Sequence, residues 1–98
     1  MVFLDPDNPP DEIMLQWHTT DWLNRAYWGA NLIDLGTDNT PQRQFMGPLP
    51  PSGEWVRLSV PVDGLAAGHV NIDGIAFTLS GGRAIWDYTG VYRSSVFQ

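Results

Sequence analysis

The 98-residue chain contains no cysteine and no lysine. Without cysteine there is no disulfide, no thiolate metal site and no thiol nucleophile. Without lysine the basic residues are five arginines, Arg25, Arg43, Arg57, Arg83 and Arg93, set against eleven carboxylates for a formal net charge of -6. Nucleic acid and anionic membranes both require a basic footprint, so neither is an expected partner. Charged residues make up only 16% of the chain, below the usual level of about 25%. The start, Met1-Val2-Phe3-Leu4-Asp5, has no basic region and no long apolar run. Neither a signal peptide nor a membrane span is therefore expected, and the chain reads as a module of a larger protein.

Helical periodicity is also scarce. Only Leu65 to Ala67 and Trp22 to Ala26 have helical tendency, and both are too short for a stable helix. Catalytic motifs are missing as well: there is no Gly-x-Ser-x-Gly elbow, no His-Glu-x-x-His and no phosphate loop, and no paired carboxylates are spaced for a cleft. A non-enzymatic role is the expectation.

What remains is alternation broken by turns. Val2-Phe3-Leu4 is a short apolar run that ends at Asp5-Pro6-Asp7-Asn8-Pro9-Pro10, a rigid acidic loop. From Glu12 to His18, Ile13, Leu15 and Trp17 alternate with Met14, Gln16 and His18, as in a half-buried strand. Arg25 to Trp28 and Leu32 to Leu35 read as short strands stopped by Gly29 and Gly36, and Met46 to Gly53 as a proline-rich loop. Glu54 to Pro61 and Gly74 to Ser80 alternate again, and Ser80-Gly81-Gly82-Arg83 reads as a hairpin turn that returns Ala84 to Tyr88 antiparallel to the strand before it. Seven or eight short strands in one domain, residues 1–98, predict an all-β fold, a two-sheet antiparallel β-sandwich.

Tryptophan is in excess, at Trp17, Trp22, Trp28, Trp55 and Trp86. Ile13, Leu15, Val56, Leu58, Ile75, Phe77 and Leu79 already supply a core, so some indoles belong on the surface. Trp17 shares the apolar side of its strand and is assigned to the core, and Trp55 is expected to pack under the proline-rich loop. Tyr27 and Trp28 are neighbours on one strand, so one faces in and the other out. Trp86 beside Ile85 poses the same choice, and Trp22 lies in a turn. Trp22, Trp28 and Trp86, with Tyr27, are thus the candidate platform for stacking flat, amphipathic sugar rings. A ring covering about 100 Å² of indole gains about 2.5 kcal/mol, so three offer roughly 7 kcal/mol. Association alone costs at least about 4 kcal/mol, so useful affinity requires hydrogen bonds as well. Gln16 and His18, on the strand face away from the core, and Arg25 are the candidate suppliers.

Two stretches resemble known modules. Gly53 to Pro61, Ile72 to Leu79 and Ala84 to Asp87 resemble the closing strands of jelly-roll carbohydrate-binding modules. Asp5-Pro6 with Pro9-Pro10, Met14 to His18, Arg25 to Gly29, Met46 to Pro50 and Ala76 to Thr78 resemble a small sandwich domain of large bacterial multidomain proteins. Asp21-Trp22-Leu23-Asn24 departs from that pattern, which has a charged loop and a histidine before Arg-Ala-Tyr-Trp. The resemblance implies jelly-roll character and a non-catalytic module that binds β-glucan such as cellulose, xyloglucan or cello-oligosaccharides. It further implies covalent linkage to a catalytic domain such as an endoglucanase, and an extracellular location. No cofactor is expected. A structural calcium near Asp87 is implied by the resemblance alone, and Asp5, Asp7, Asp11 and Glu12 read first as an acidic surface loop. The alternative is a structural or protein-interaction domain whose aromatics pack on a neighbour.

Overall fold

In the computed structural model, residues 1–18, 21–22, 24–60, 72 and 74–88 are described. Among them are seven strands and no helix: β1 Val2–Leu4, β2 Glu12–His18, β3 Asn24–Gly29, β4 Gln44–Gly47, β5 Trp55–Val56, β6 Gly74–Ser80 and β7 Ala84–Trp86. They form two sheets packed together as an all-β sandwich, a three-stranded sheet ordered β5-β1-β7 and a four-stranded sheet ordered β4-β3-β2-β6. The segment from Leu65 to Ala67 lies outside the described residues.

Alternation decides which side of each strand is buried. On β2, Ile13, Leu15 and Trp17 turn inward, with Trp28 and Ala26 of β3 opposite the first two and Leu79, Phe77 and Ile75 of β6 opposite all three in turn. On β1, Val2 and Leu4 turn inward to meet them, both essentially without solvent contact. Each such aliphatic side chain contributes about 1.5 to 3 kcal/mol of transfer free energy. Trp17 is 4% exposed and in the core as expected, although its indole Nε1 has no hydrogen-bond partner.

Several expectations about individual elements are corrected. Ala84–Trp86 is not the return arm of a hairpin with β6, for β7 pairs with β1 in the other sheet. The Gly81-Gly82 turn instead carries the chain from one sheet to the other. Both glycines have positive φ, and a Cβ on Gly82 would run into the backbone of Pro9 and Pro10. The turn is tied to the N-terminal loop because Arg83 N–H donates to the Asn8 carbonyl at 2.8 Å and Asp5 N–H to the Arg83 carbonyl at 3.0 Å. Leu32 to Leu35 is not a strand, for the backbone N–H groups of Leu32 and Ile33 donate to the Glu12 carboxylate rather than to a neighbouring strand, and Leu32 and Leu35 are exposed. Of the strand expected over Glu54 to Pro61, the described part, Glu54 to Val60, is strand only at Trp55–Val56, while Pro61 lies outside the described residues; Asn24–Gly29 overrides the helical tendency of the stretch from Trp22. Met46 and Gly47 belong to β4, which pairs parallel to β3 with a register shift between Tyr27 and Trp28.

Candidate functional site

The candidate polar residues all lie on the side of the four-stranded sheet that faces away from the core. There Gln16 stands between Arg25 of β3 and Ala76 of β6, Met14 between Tyr27 and Thr78, and His18 beside Gly74. Sequence alternation brings Gln16 and His18 to this face, and strand pairing adds Arg25 and Tyr27.

Residues 30–43 cover the part of this face around Glu12, Arg25 and Tyr27. Glu12 is its anchor. One carboxylate oxygen accepts the backbone N–H groups of Leu32, at 2.5 Å, and Ile33, at 2.7 Å, while the other is 2.9 Å from Arg43 Nη2. Both side chains of this ion pair are almost wholly buried. Glu12 is thus removed from the acidic surface loop expected from sequence, because Arg43 neutralises it and two amides occupy its lone pairs. Arg43 also donates to the Asn31 side-chain oxygen and the Leu35 carbonyl, and its guanidinium lies 4.1 Å from the Tyr27 ring centroid. Met14 beneath is fully buried although it faces away from the sandwich core.

Tyr27 is therefore not available as a platform. It is 3% exposed, and its hydroxyl donates to Asp38 at 3.0 Å. Burial, then the hydrogen bond to Asp38 and its charge, push the Tyr27 pKa above the ordinary 10.0, while Arg43 pulls the other way. Arg25, 8% exposed, donates from Nε to Gln16 Oε1 at 2.9 Å and from Nη1 to the Gln42 carbonyl at 3.3 Å. Gln16 in turn donates to Thr78 Oγ1 at 2.9 Å. Arg25 thus holds Gln16 in place more than it faces solvent.

Beyond the roof, at the end of β2, an open shelf remains. Trp22 is 41% exposed and tilts against the His18 ring with 5.1 Å between centroids. Its six-membered ring lies over Gly74, where a Cβ would come within 3.1 Å of the indole and 3.2 Å of His18 Cβ. A side chain at position 74 would lift the indole, so Gly74 lets it lie close to the sheet.

The other two indoles of the candidate platform face inward. Trp28 is 6% exposed and part of the core. Trp86 packs against the core and stacks on Phe77 at 4.5 Å and 20° between ring planes. Strand pairing explains both, since Trp28 lies opposite Ile13 and Trp86 opposite Val2, each an inward residue.

One further indole is exposed against expectation. Trp55 does not pack under the proline-rich loop, but is 44% exposed on the outer face of the three-stranded sheet, with its ring 5.6 Å from that of Phe3. Ile85, 58% exposed, is Phe3's partner on the other side. The signal was the alternation itself, because Val56 faces inward opposite Val2 and Trp55 must then face outward.

Among the described residues, no group of three or more His, Asp or Glu side chains is placed to hold a metal ion, and no helix is long and apolar enough to cross a membrane. Asp87, implied as a calcium ligand, accepts the Tyr88 backbone N–H through its carboxylate at 2.9 Å. No family model, curated protein or solved structure matches the chain.

Proposed function

We propose that the domain is a non-catalytic carbohydrate-binding module whose ligand is a β-glucan chain such as cellulose, xyloglucan or a cello-oligosaccharide. The observation that carries this reading is the Trp22 shelf, a half-exposed indole set against His18 and Gly74 at the end of the row that holds Gln16 and Arg25. A pyranose has a flat C–H face and a rim of hydroxyls, which suits an indole bordered by an imidazole and an amide. One stacked ring gains only about 2.5 kcal/mol from about 100 Å² of contact, so affinity depends on the neighbouring polar groups. Arg25 acts here as a positioning residue, since it aligns Gln16 through Nε. In the proposed setting the module is secreted as part of a larger bacterial protein and delivers an attached catalytic domain, such as an endoglucanase, to its substrate.

The test is isothermal titration of the folded chain with cello-oligosaccharides and xyloglucan. Heat that disappears in Trp22→Ala with the fold retained supports the reading, and silence from both glycans removes it. A second reading, a structural or protein-interaction domain, is favoured by the bare row Trp55, Phe3 and Ile85 across the three-stranded sheet. Saturable glycan binding lost with Trp22 would set that alternative aside.

A further inference from the structure

Two guanidinium groups lie over the outer face of the four-stranded sheet, and their charges are handled differently. Arg43 is neutralised by Glu12. Arg25, only 8% exposed, gives its side-chain hydrogen bonds to two neutral acceptors, from Nε to Gln16 Oε1 and from Nη1 to the Gln42 carbonyl. The backbone of Gly36 closes on Nη1, where a Cβ would come within 2.8 Å. Nη2 makes no hydrogen bond to the described residues. It is not sealed off, because Trp17 Nε1 is the sole fully buried side-chain nitrogen or oxygen without a partner among them. A guanidinium enclosed to this degree is ordinarily paired with an anion, since a buried charge held by neutral acceptors alone is costly.

The neighbouring side chains have the matching polarity. Gln16 Oε1, the natural acceptor of this row, already accepts from Arg25, and Gln16 Nε2 donates to Thr78 Oγ1 at 2.9 Å. Left for a ligand are the second Nε2 hydrogen of Gln16, the hydroxyl hydrogen of Thr78 and the Nη2 hydrogens of Arg25. Gln16 and Thr78 are both half-buried, so the row is set as a row of donors within reach of solvent. A sugar hydroxyl placed on it would leave its own hydrogen without an acceptor. A carboxylate has acceptor sites, carries no hydrogen, and fits the planar fork of a guanidinium. The formal net charge of -6 then limits how many carboxylates can approach together. One carboxylate among neutral rings meets both conditions, and a polyuronate does not.

We propose that Arg25, with Gln16 and Thr78, forms a subsite for the carboxylate of a uronic acid ring in an otherwise neutral β-linked glycan. The inference rests on the Trp22 stacking reading and extends it from a neutral chain to one that carries an occasional uronate. Spacing along β2 suits this division of labour. His18, against which Trp22 packs, and Gln16 are two residues apart, about 7 Å at about 3.4 Å per residue. A pyranose over Trp22 therefore brings the next ring of its chain to the row of Gln16 and Arg25. Glucuronic acid differs from glucose only at C6, where a carboxylate replaces the hydroxymethyl group, so the flat C–H face used in stacking is retained. Thr78 joins the site through its register opposite Met14, which turns it to the outer face.

The experiment is isothermal titration of the intact chain with cello-oligosaccharides of one length that carry a single glucuronic acid, placed at each ring in turn, and with the neutral parent. At low salt the best uronate isomer should bind at least tenfold more tightly than the parent, and the difference should shrink as salt is added. Arg25→Leu should bind the two alike. If that variant fails to fold, the comparison on the unaltered protein and its salt dependence decide. Equal or tighter binding of the parent, lost in Trp22→Ala, would overturn the uronate subsite and leave the stacking reading standing. A uronate preference that survives in folded Arg25→Leu would overturn the assignment to Arg25. Uronate affinity unchanged in Trp22→Ala would show a carboxylate held without a stacked ring, and would overturn the glycan as its source. Silence from every oligosaccharide would overturn both readings.

Discussion

The two sheets of this domain have outer faces of opposite finish. On the four-stranded sheet, residues 30–43 fold over Met14 and Tyr27 and are held by a buried carboxylate, whereas on the three-stranded sheet Trp55, Phe3 and Ile85 stand in a row with Trp55 and Ile85 open to solvent. The roofed face is the more polar of the two. A covering loop brings backbone amides with it, and in a buried setting these need acceptors. Glu12 supplies one, and its charge then requires Arg43. The bare face has no such requirement, since three apolar side chains on a small sheet satisfy their backbones through the ladder.

Breaking the anchor should have the largest effect. Glu12→Ala removes the acceptor of two amides and leaves the Arg43 guanidinium buried without its countercharge, so about 3 to 5 kcal/mol of stability should be lost, measured by the urea midpoint. An unfolding free energy within about 0.5 kcal/mol of wild type would show that the roof contributes little to the fold.

Next comes the shelf at the roof's edge. If Trp22 carries glycan stacking, Trp22→Ala should weaken cello-oligosaccharide binding by at least tenfold, about 1.4 kcal/mol, with near-wild-type thermal stability. Unchanged affinity would remove Trp22 from the site.

Tyr27 probes the roof more gently. Tyr27→Phe deletes one hydrogen bond to Asp38 and should cost about 1 kcal/mol. Because the folded Tyr27 pKa is raised above 10.0, the folded state retains its proton after the unfolded chain has lost it. Stability should then fall as pH rises past about 10, and the Phe variant should show a shallower decline. Equal slopes for both proteins would show that Tyr27 is not the titrating group.

The smallest effect is expected on the bare face. Trp55→Thr keeps a strand-forming residue and removes only the contact with Phe3, so stability should change by about 1 kcal/mol or less. A loss as large as that of Glu12→Ala would mean that the row is covered in solution. The same variant should leave the Trp22 shelf unaffected, which separates the two faces in one titration.

Much of the fold was legible in the chain. The β2 alternation assigned Ile13, Leu15 and Trp17 inward and Gln16 and His18 outward, and the proline and glycine clusters located the turns. Less was legible where two chain-distant segments compete for one partner. The Gly81-Gly82 turn has the residues of a hairpin, but its direction is set by Pro9 and Pro10 behind it and by hydrogen bonds to Asn8 and Asp5, seventy or more positions away. Glu12 looked like one more acid in a loop because nothing local announces that Arg43 will meet it. Trp28 and Tyr27 could not be oriented from their own strand. Only the pairing of Trp28 with Ile13 settled which one faces the core.

The sequence by itself determined an all-β chain, the two-residue period of its strands, and a surplus of aromatics for one small core. These are local properties, fixed by side-chain alternation and by what proline and glycine forbid or permit. The tertiary structure decided which aromatics were left over. It placed Trp28 and Trp86 inward and Trp22 and Trp55 outward, and covered Tyr27 with a polar segment that brings Asp38 to its hydroxyl and Arg43 over its ring. The reason is physical: exposure belongs to the packed arrangement of both sheets, because whether an outward residue meets water depends on whether another part of the chain lies above it.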